Sequence, residues 1–231
     1  MKKYAVIVAG GSGSRMGNAL PKQFLPLAGK PLLYHTLTAF LRVWQDLQIV
    51  LALPADHFQT GLTIAGQADA TGRIKTIAGG STRFESVKAC LEQVEEDAVV
   101  FVHDAVRCLI SSALIERCYR ETIAKGNAIP VIISSDSMRI LEEGENRAID
   151  RDRMRIVQTP QTFNGALLKM AYRQPYRSFF TDDASVVEYA GGKINLVEGE
   201  YRNIKITHPI DLLIAEELLK QDQKDNPASP Q

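Results

Sequence analysis

The sequence predicts a doubly wound α/β fold, a mostly parallel sheet flanked by helices, in a single domain over residues 1–231 with a protruding β-arm. Three observations lead there. Short runs rich in Val and Ile recur at residues 4–9, 48–53, 74–78, 98–102, 128–133 and 194–197. Amphipathic stretches separate them, so strand alternates with helix. The first, second and fourth runs are apolar at nearly every position rather than at alternate ones, the pattern of strands covered by helices on both faces.

Taken in order, the first run leads into a glycine-rich turn, and Pro31 then opens a helix with Leu33, Leu37, Phe40, Leu41 and Trp44 on one face. Proline suits a first helical turn because the N–H it lacks would be unpaired there anyway. Thr82 and Glu85 stand at capping-box spacing and start a second helix through Val87, Cys90, Leu91 and Val94. Right-handed crossovers between parallel strands put the ligand site beyond the carboxyl ends of the strands. The segment 136–155 breaks the rhythm: it is strongly charged, with Glu142-Glu143-Gly144-Glu145-Asn146 as a turn-like centre and short apolar patches on both sides. It is read as a projecting hairpin. A lone hairpin is marginal in water, so this arm is expected to pack on a second subunit. Thr207 and Pro209 open the final helix, and the tail after Asn226 is expected to fray.

Hydrophobic residues make up 45% of the chain and charged residues 23%, ordinary globular usage. The formal net charge is zero, which removes any whole-molecule electrostatic reason to bind nucleic acid or a membrane surface. That total conceals a cationic start. Positions 1–45 contain no Asp or Glu but include Lys2, Lys3, Arg15, Lys22, Lys30 and Arg42. Cys90, Cys108 and Cys118 are odd in number and lack paired spacing, so they read as buried free thiols. The run 4–9 is too short for the apolar region of a signal peptide, and no stretch reaches the roughly 18 apolar residues of a membrane span. The expected location is the cytoplasm.

The chemistry is expected in Ala9-Gly10-Gly11-Ser12-Gly13-Ser14-Arg15-Met16-Gly17, directly after the first strand. Glycines let the backbone turn tightly and present N–H groups to an anion. No Gly-Lys-Ser/Thr ending follows, which excludes a Walker A loop. Met16 stands where the dinucleotide fingerprint needs its third glycine, and the second strand ends Leu53-Pro54 rather than in a ribose-binding acid. Arg15 and Lys22 share the connection, with Pro21 stiffening it. A triphosphate carries roughly four negative charges, a divalent metal offsets about two, and two fixed cations supply the remainder.

With further segments downstream these residues carry a resemblance. The first loop and Pro21-Lys22-Gln23 are followed by Gly79-Gly80-Ser81-Thr82-Arg83-Phe84-Glu85-Ser86-Val87 and His103-Asp104-Ala105-Val106-Arg107. Asp136-Ser137-Met138-Arg139, Thr181-Asp182-Asp183-Ala184-Ser185 and Asn203-Ile204-Lys205-Ile206-Thr207 continue the series. In order and spacing the chain resembles the 2-C-methyl-D-erythritol 4-phosphate cytidylyltransferases, over nearly its whole length. The resemblance implies a Rossmann-like nucleotidyltransferase fold and a homodimer joined through the 136–155 arm. It also implies cytidylyl transfer from CTP to methylerythritol phosphate with Mg²⁺ held mainly by the CTP phosphates, on the non-mevalonate route to isoprenoids.

By the same resemblance, Ala9, Gly10, Gly11 and Gly13 with Arg15 and Lys22 hold the triphosphate, and Gly79, Gly80, Ser81 and Ser86 surround cytosine and ribose, beside Asp104 and Ala105. Asp104, Arg107, Thr181 and Lys205 face the sugar phosphate and the reacting phosphate. Ser137 and Arg151 come from the partner's arm to grip methylerythritol phosphate. Arg15, Lys22 and Lys205 are the expected catalysts. The chain departs from the family's usual residues at Val106, Cys108, Ser137 and Arg139, the last two keeping hydroxyl and charge.

From residues alone, duller readings stand beside these: Lys205 as an exposed lysine before the final helix, Thr181 as a helix N-cap, His103 as a structural strand-end residue. His35, His57 and His208 are scattered and support neither a metal site nor a Ser-His-Asp hydrolase. Two rival functions remain, a ribitol 5-phosphate cytidylyltransferase and a nucleotide-binding regulator without turnover.

Overall fold

β1 (Lys3–Val8) is an interior strand of the sheet, as its unbroken apolar run requires. The computed structural model describes residues 1–10, 20–142 and 144–225. After β1 come a small ribbon, β2 (Pro26–Leu27) with β3 (Lys30–Pro31), then α1 (Leu32–Leu41), β4 (Leu47–Leu53), α2 (Phe58–Ala68) and β5 (Ile74–Ala78). α3 (Arg83–Leu91), β6 (Val99–Asp104), α4 (Ser112–Lys125) and β7 (Asn127–Ile132) follow. The arm is β8 (Met138–Glu142) and β9 (Glu145–Ile149). β10 (Ile156–Val157), β11 (Gln161–Asn164), α5 (Gly165–Ala171), α6 (Asp183–Tyr189), β12 (Leu196–Glu198) and α7 (Pro209–Asp225) complete the described chain.

The main sheet runs β10-β7-β11-β6-β1-β4-β5, with β12 alongside β7. β1 pairs parallel with β4 and β6, and β4 with β5. β11 is antiparallel to both β6 and β7. Alternate residues of the central strands feed two cores. Ala5 and Ile7 pack with Leu33, Leu37 and Phe40 of α1, Ile64 of α2 and Leu114 of α4. Val6 packs on the other face with Val87 and Cys90 of α3, Leu168 of α5 and Val187 of α6. Helices therefore cover both faces, the doubly wound arrangement the sequence predicts.

Local chemistry sets the boundaries. Thr82 caps α3 through the predicted capping box: its hydroxyl accepts from the Glu85 N–H, and the Glu85 carboxylate accepts from the Thr82 N–H. α4 ends on Gly126 at φ +87°, a left-handed position that suits glycine. Pro31 occupies the position before α1 rather than its first turn, and Trp44 lies past the helix end, packed on Phe101 and Tyr119. The predicted strand at 194–197 is displaced to β12. The turn-like centre of the hairpin is also tighter than expected, since Glu142 and Glu145 already pair across the two strands.

Candidate active site

The chain steps from β1 to β4 and β5 on one side and then lays β6 on the other. The crevice at that switch point, beyond the carboxyl ends of β1 and β6, is where an open α/β sheet binds ligands. Ala9 and Gly10 leave β1 there, and Ala105 follows β6, its N–H donating to the Val8 carbonyl. Buried Thr36 of α1 donates to the Ala105 carbonyl at 2.7 Å, and buried Gln23 donates to the Ala9 carbonyl. Both turns are thus tied to the core. Lys22 lies in a short 3-10 turn, mostly buried, beside Gln23.

The Gly79–Gly80 turn after β5 joins the same edge. Ser86 Oγ accepts from the Gly80 N–H at 3.1 Å and donates to the Thr82 carbonyl at 2.9 Å. A Cβ on Gly10 would stand 3.4 Å from Ser86 Oγ, and one on Gly79 only 3.0 Å from it. Gly10 and Gly79 therefore both approach Ser86, and at Gly79 the approach is close enough to favour the absence of a side chain. Ser81 is exposed, its N–H and hydroxyl both donating to the Glu85 carboxylate.

Asp104, the last residue of β6, is the electrostatic centre. Its carboxylate lies 2.9 Å from Lys205 Nζ, 3.5 Å from Arg83 Nε and 3.7 Å from Arg107 Nε. Burial would raise its pKa, but Arg83, Lys205 and Arg107, in that order, outweigh burial and hold the carboxyl well below its ordinary 3.8. Asp104 and the Asp183 partner of Arg83 stand against three cations, which leaves one net positive charge in the pocket, suited to phosphate. Arg83 also makes a bidentate pair with Asp183 of α6, at 2.9 and 2.7 Å. Arg107 is more deeply committed than the sequence suggests: its fork donates to the carbonyls of Asn203 and Val157. Burial lowers its pKa against the pull of Asp104, yet a guanidinium remains charged at neutral pH.

Buried His103 fixes this turn. The Asp104 N–H donates to Thr159 Oγ1, leaving that hydroxyl to donate to His103 Nδ1 at 3.0 Å. Nε2 then carries the proton and faces the Arg107 carbonyl at 3.1 Å. Burial, partly opposed by that carbonyl, pushes its pKa down to about 4, in agreement with a neutral ring. His103 is the structural residue the sequence suggests. Burial also pushes the three free thiols up to about 12, which removes them as nucleophiles.

The structure thus brings together Ala9, Gly10, Gly80, Ser86, Asp104, Ala105, Arg107 and Lys205. Thr181 is exposed, one residue before the true N-cap of α6, Asp182. Asp182 wins that position because its carboxylate accepts both from Ser185 N–H and from Gln161 on β11. Ser137 and Arg151 are exposed at the base of the arm, where Arg151 donates to the Ser135 carbonyl. No described contact joins either one to the Asp104 cluster. Gly11, Gly13 and Arg15 lie outside the described residues. Sequence reading assigned no role to Arg83, Asp183, Gln161 or Thr159; Arg83 stood inside a recognised motif, but its partners lie far off in the chain.

Comparison with known proteins agrees with this fold. A family profile described as 2-C-methyl-D-erythritol 4-phosphate cytidylyltransferase matches residues 4–221. This chain belongs to that family. A protein of that name from Bacteroides fragilis is 45% identical over 219 residues, 95% of this chain and 100% of the relative. The crystal structure of 4-diphosphocytidyl-2C-methyl-D-erythritol synthase from Anaerococcus prevotii superposes with a TM-score of 0.81 at 27% identity, covering 95% of this chain and 96% of that one. The cytidylyltransferase structure from Thermus thermophilus gives 0.72 at 32% identity, covering 93% and 98%.

Proposed function

We infer that the chain transfers cytidylyl from CTP to 2-C-methyl-D-erythritol 4-phosphate by direct in-line attack on the α-phosphorus. The activity follows from family membership, which does not favour ribitol phosphate transfer or a silent regulator. The observation that carries the direct route is Asp104 surrounded by Lys205, Arg83 and Arg107 at the switch point, a pocket that binds and neutralises phosphate. An oxygen of the sugar phosphate, ionised at neutral pH, forms the new bond to the α-phosphorus. The bond from that phosphorus to the bridging oxygen breaks, and pyrophosphate leaves with the electron pair. A charged nucleophile needs no general base, so catalysis is positioning plus charge stabilisation. In this reading Ala9, Gly10, Gly11 and Gly13 bind the triphosphate, Arg15, Lys22 and Lys205 stabilise the five-coordinate state, and Gly80, Ser81 and Ser86 flank the nucleoside. Thr181 and Arg107, with the partner's Ser137 and Arg151, address methylerythritol phosphate.

Mg²⁺ is proposed to enter with CTP. No group of three or more His, Cys, Asp or Glu side chains gathers among the described residues. With the Asp104 carboxylate engaged by three cations, the ion would be held mainly by the CTP phosphates and by water, as magnesium, which commonly keeps several waters, can be. Bound there, the ion offsets about two of the triphosphate's roughly four charges.

The arm is proposed to join two copies. β8 and β9 form their own two-stranded sheet, and Leu141 on it is 80% exposed. Light scattering showing a monomer at working concentration would remove that proposal. A cytoplasmic location is proposed from the three unpaired cysteines; among the described residues no helix is long and apolar enough to cross a membrane. The direct route is tested with CTP chirally labelled by sulfur at the α-phosphorus. One in-line displacement inverts that centre; retention would require a covalent enzyme intermediate and overturn the route.

A further inference from the structure

We propose that Arg83 is a positioning residue that couples the sugar-phosphate side of the crevice to the carboxylate at its centre. Arg83 begins α3, directly after the Thr82 cap, so its origin is fixed by the capping box of the nucleoside-side segment. From there its guanidinium spans two acids on separate elements. Two nitrogens grip Asp183, in the first turn of α6, at 2.9 and 2.7 Å, and Nε lies 3.5 Å from Asp104 at the end of β6. Asp183 has no exposed side chain and accepts a third bond from the Tyr172 hydroxyl at 2.7 Å.

The consequence is geometric. Thr181 is exposed two residues before Asp183, so the grip on Asp183 constrains where Thr181 stands; on the cytidylyltransferase reading that residue addresses methylerythritol phosphate. Gln161 holds the same helix start from the other side, donating to Asp182 and accepting from the Ala184 N–H. Asp104 meanwhile has Lys205 as its nearest cation. When Lys205 turns to a reacting phosphate, Arg83 and Arg107 remain to hold Asp104 in place. A lysine keeps the charge of Arg83 but cannot fork to Asp183 while reaching Asp104. The position is therefore one where shape matters beyond charge.

The inference rests on the cytidylyltransferase reading and deepens it. Arg83→Lys in the full-length protein is expected to stay folded and to raise the KM for methylerythritol phosphate at least tenfold, while the KM for CTP changes less than threefold. Because a lone buried Asp183 could unfold the chain, Arg83→Gln combined with Asp183→Asn removes both charges and keeps polar atoms in place; the same split is expected there. A folded variant with both KM values at the parental level, or with both raised equally, overturns the proposal. Parental protein that releases no pyrophosphate from CTP and methylerythritol phosphate overturns the underlying reading instead, so the two failures are distinguishable.

Discussion

Replacing Asp104 by Asn keeps the shape of the strand end and removes the anion shared by three cations. At an effective dielectric constant of about 20, each of the contacts at 2.9, 3.5 and 3.7 Å is worth on the order of 5 kcal/mol of gross attraction. Desolvation consumes most of that sum, and removing one partner of a buried charge pair typically costs about 3–5 kcal/mol. Lys205 is 45% exposed and can relax into water, so the lower end, about 3 kcal/mol, is expected for Asp104→Asn. For a chain of this size that corresponds to a melting temperature lower by roughly 6–12 °C. The sign with pH follows from the depressed carboxyl: its contribution is fully present above the unfolded value, near 3.8, and is lost as pH falls toward the lower folded value. Urea unfolding of parent and variant should therefore differ by a constant amount from about pH 5 to 8, and the difference should shrink below about pH 4. A variant within about 1 kcal/mol of the parent at pH 7 would refute the claim that Asp104 organises the cluster.

Lys22→Ala should lower kcat by about 10²–10³ fold in single-turnover measurements with the fold retained by circular dichroism; normal turnover would remove its catalytic role. His103 stays neutral when folded, so its contribution is complete above pH 6.5 and is lost as pH falls toward about 4. About 3 kcal/mol should disappear across that window, and an NMR titration placing this ring near 6.5 would contradict it. Gly165→Ala would put a Cβ 2.8 and 2.9 Å from the carbonyl oxygens of Glu95 and Glu96, backbone that cannot easily move, and should destabilise by about 1–3 kcal/mol. Gly66→Ala, exposed within α2 with nothing near its added Cβ, should instead stabilise by about 0.5–1 kcal/mol; denaturant midpoints decide both.

Much of the architecture was legible because its determinants are local. Continuous apolar runs marked β1, β4 and β6 as buried on both faces, and Thr82 with Glu85 announced α3. β10 and β11 were not legible: β10 is two residues long, polar Gln161 and Asn164 form the ends of β11, and pairing with β6 and β7 alone makes them strands. The N-cap of α6 is not legible, because Thr181, Asp182 and Asp183 are all acceptable caps and the choice is made by Gln161, remote in sequence. In the site, the glycine turns and Asp104 could be read from their places at strand ends. Arg83 could not, since one of its acids lies 100 residues away. The place of Arg107 beside Asp104 could be read from the chain, but its bonds to the carbonyls of Asn203 and Val157 could not.

The most direct test measures pyrophosphate release by the purified chain with each nucleoside triphosphate, with and without methylerythritol phosphate or ribitol 5-phosphate, in the presence of Mg²⁺. The account predicts release with CTP and methylerythritol phosphate together and little with any other pair. Release with ribitol 5-phosphate alone, or with no pair at all, would contradict it.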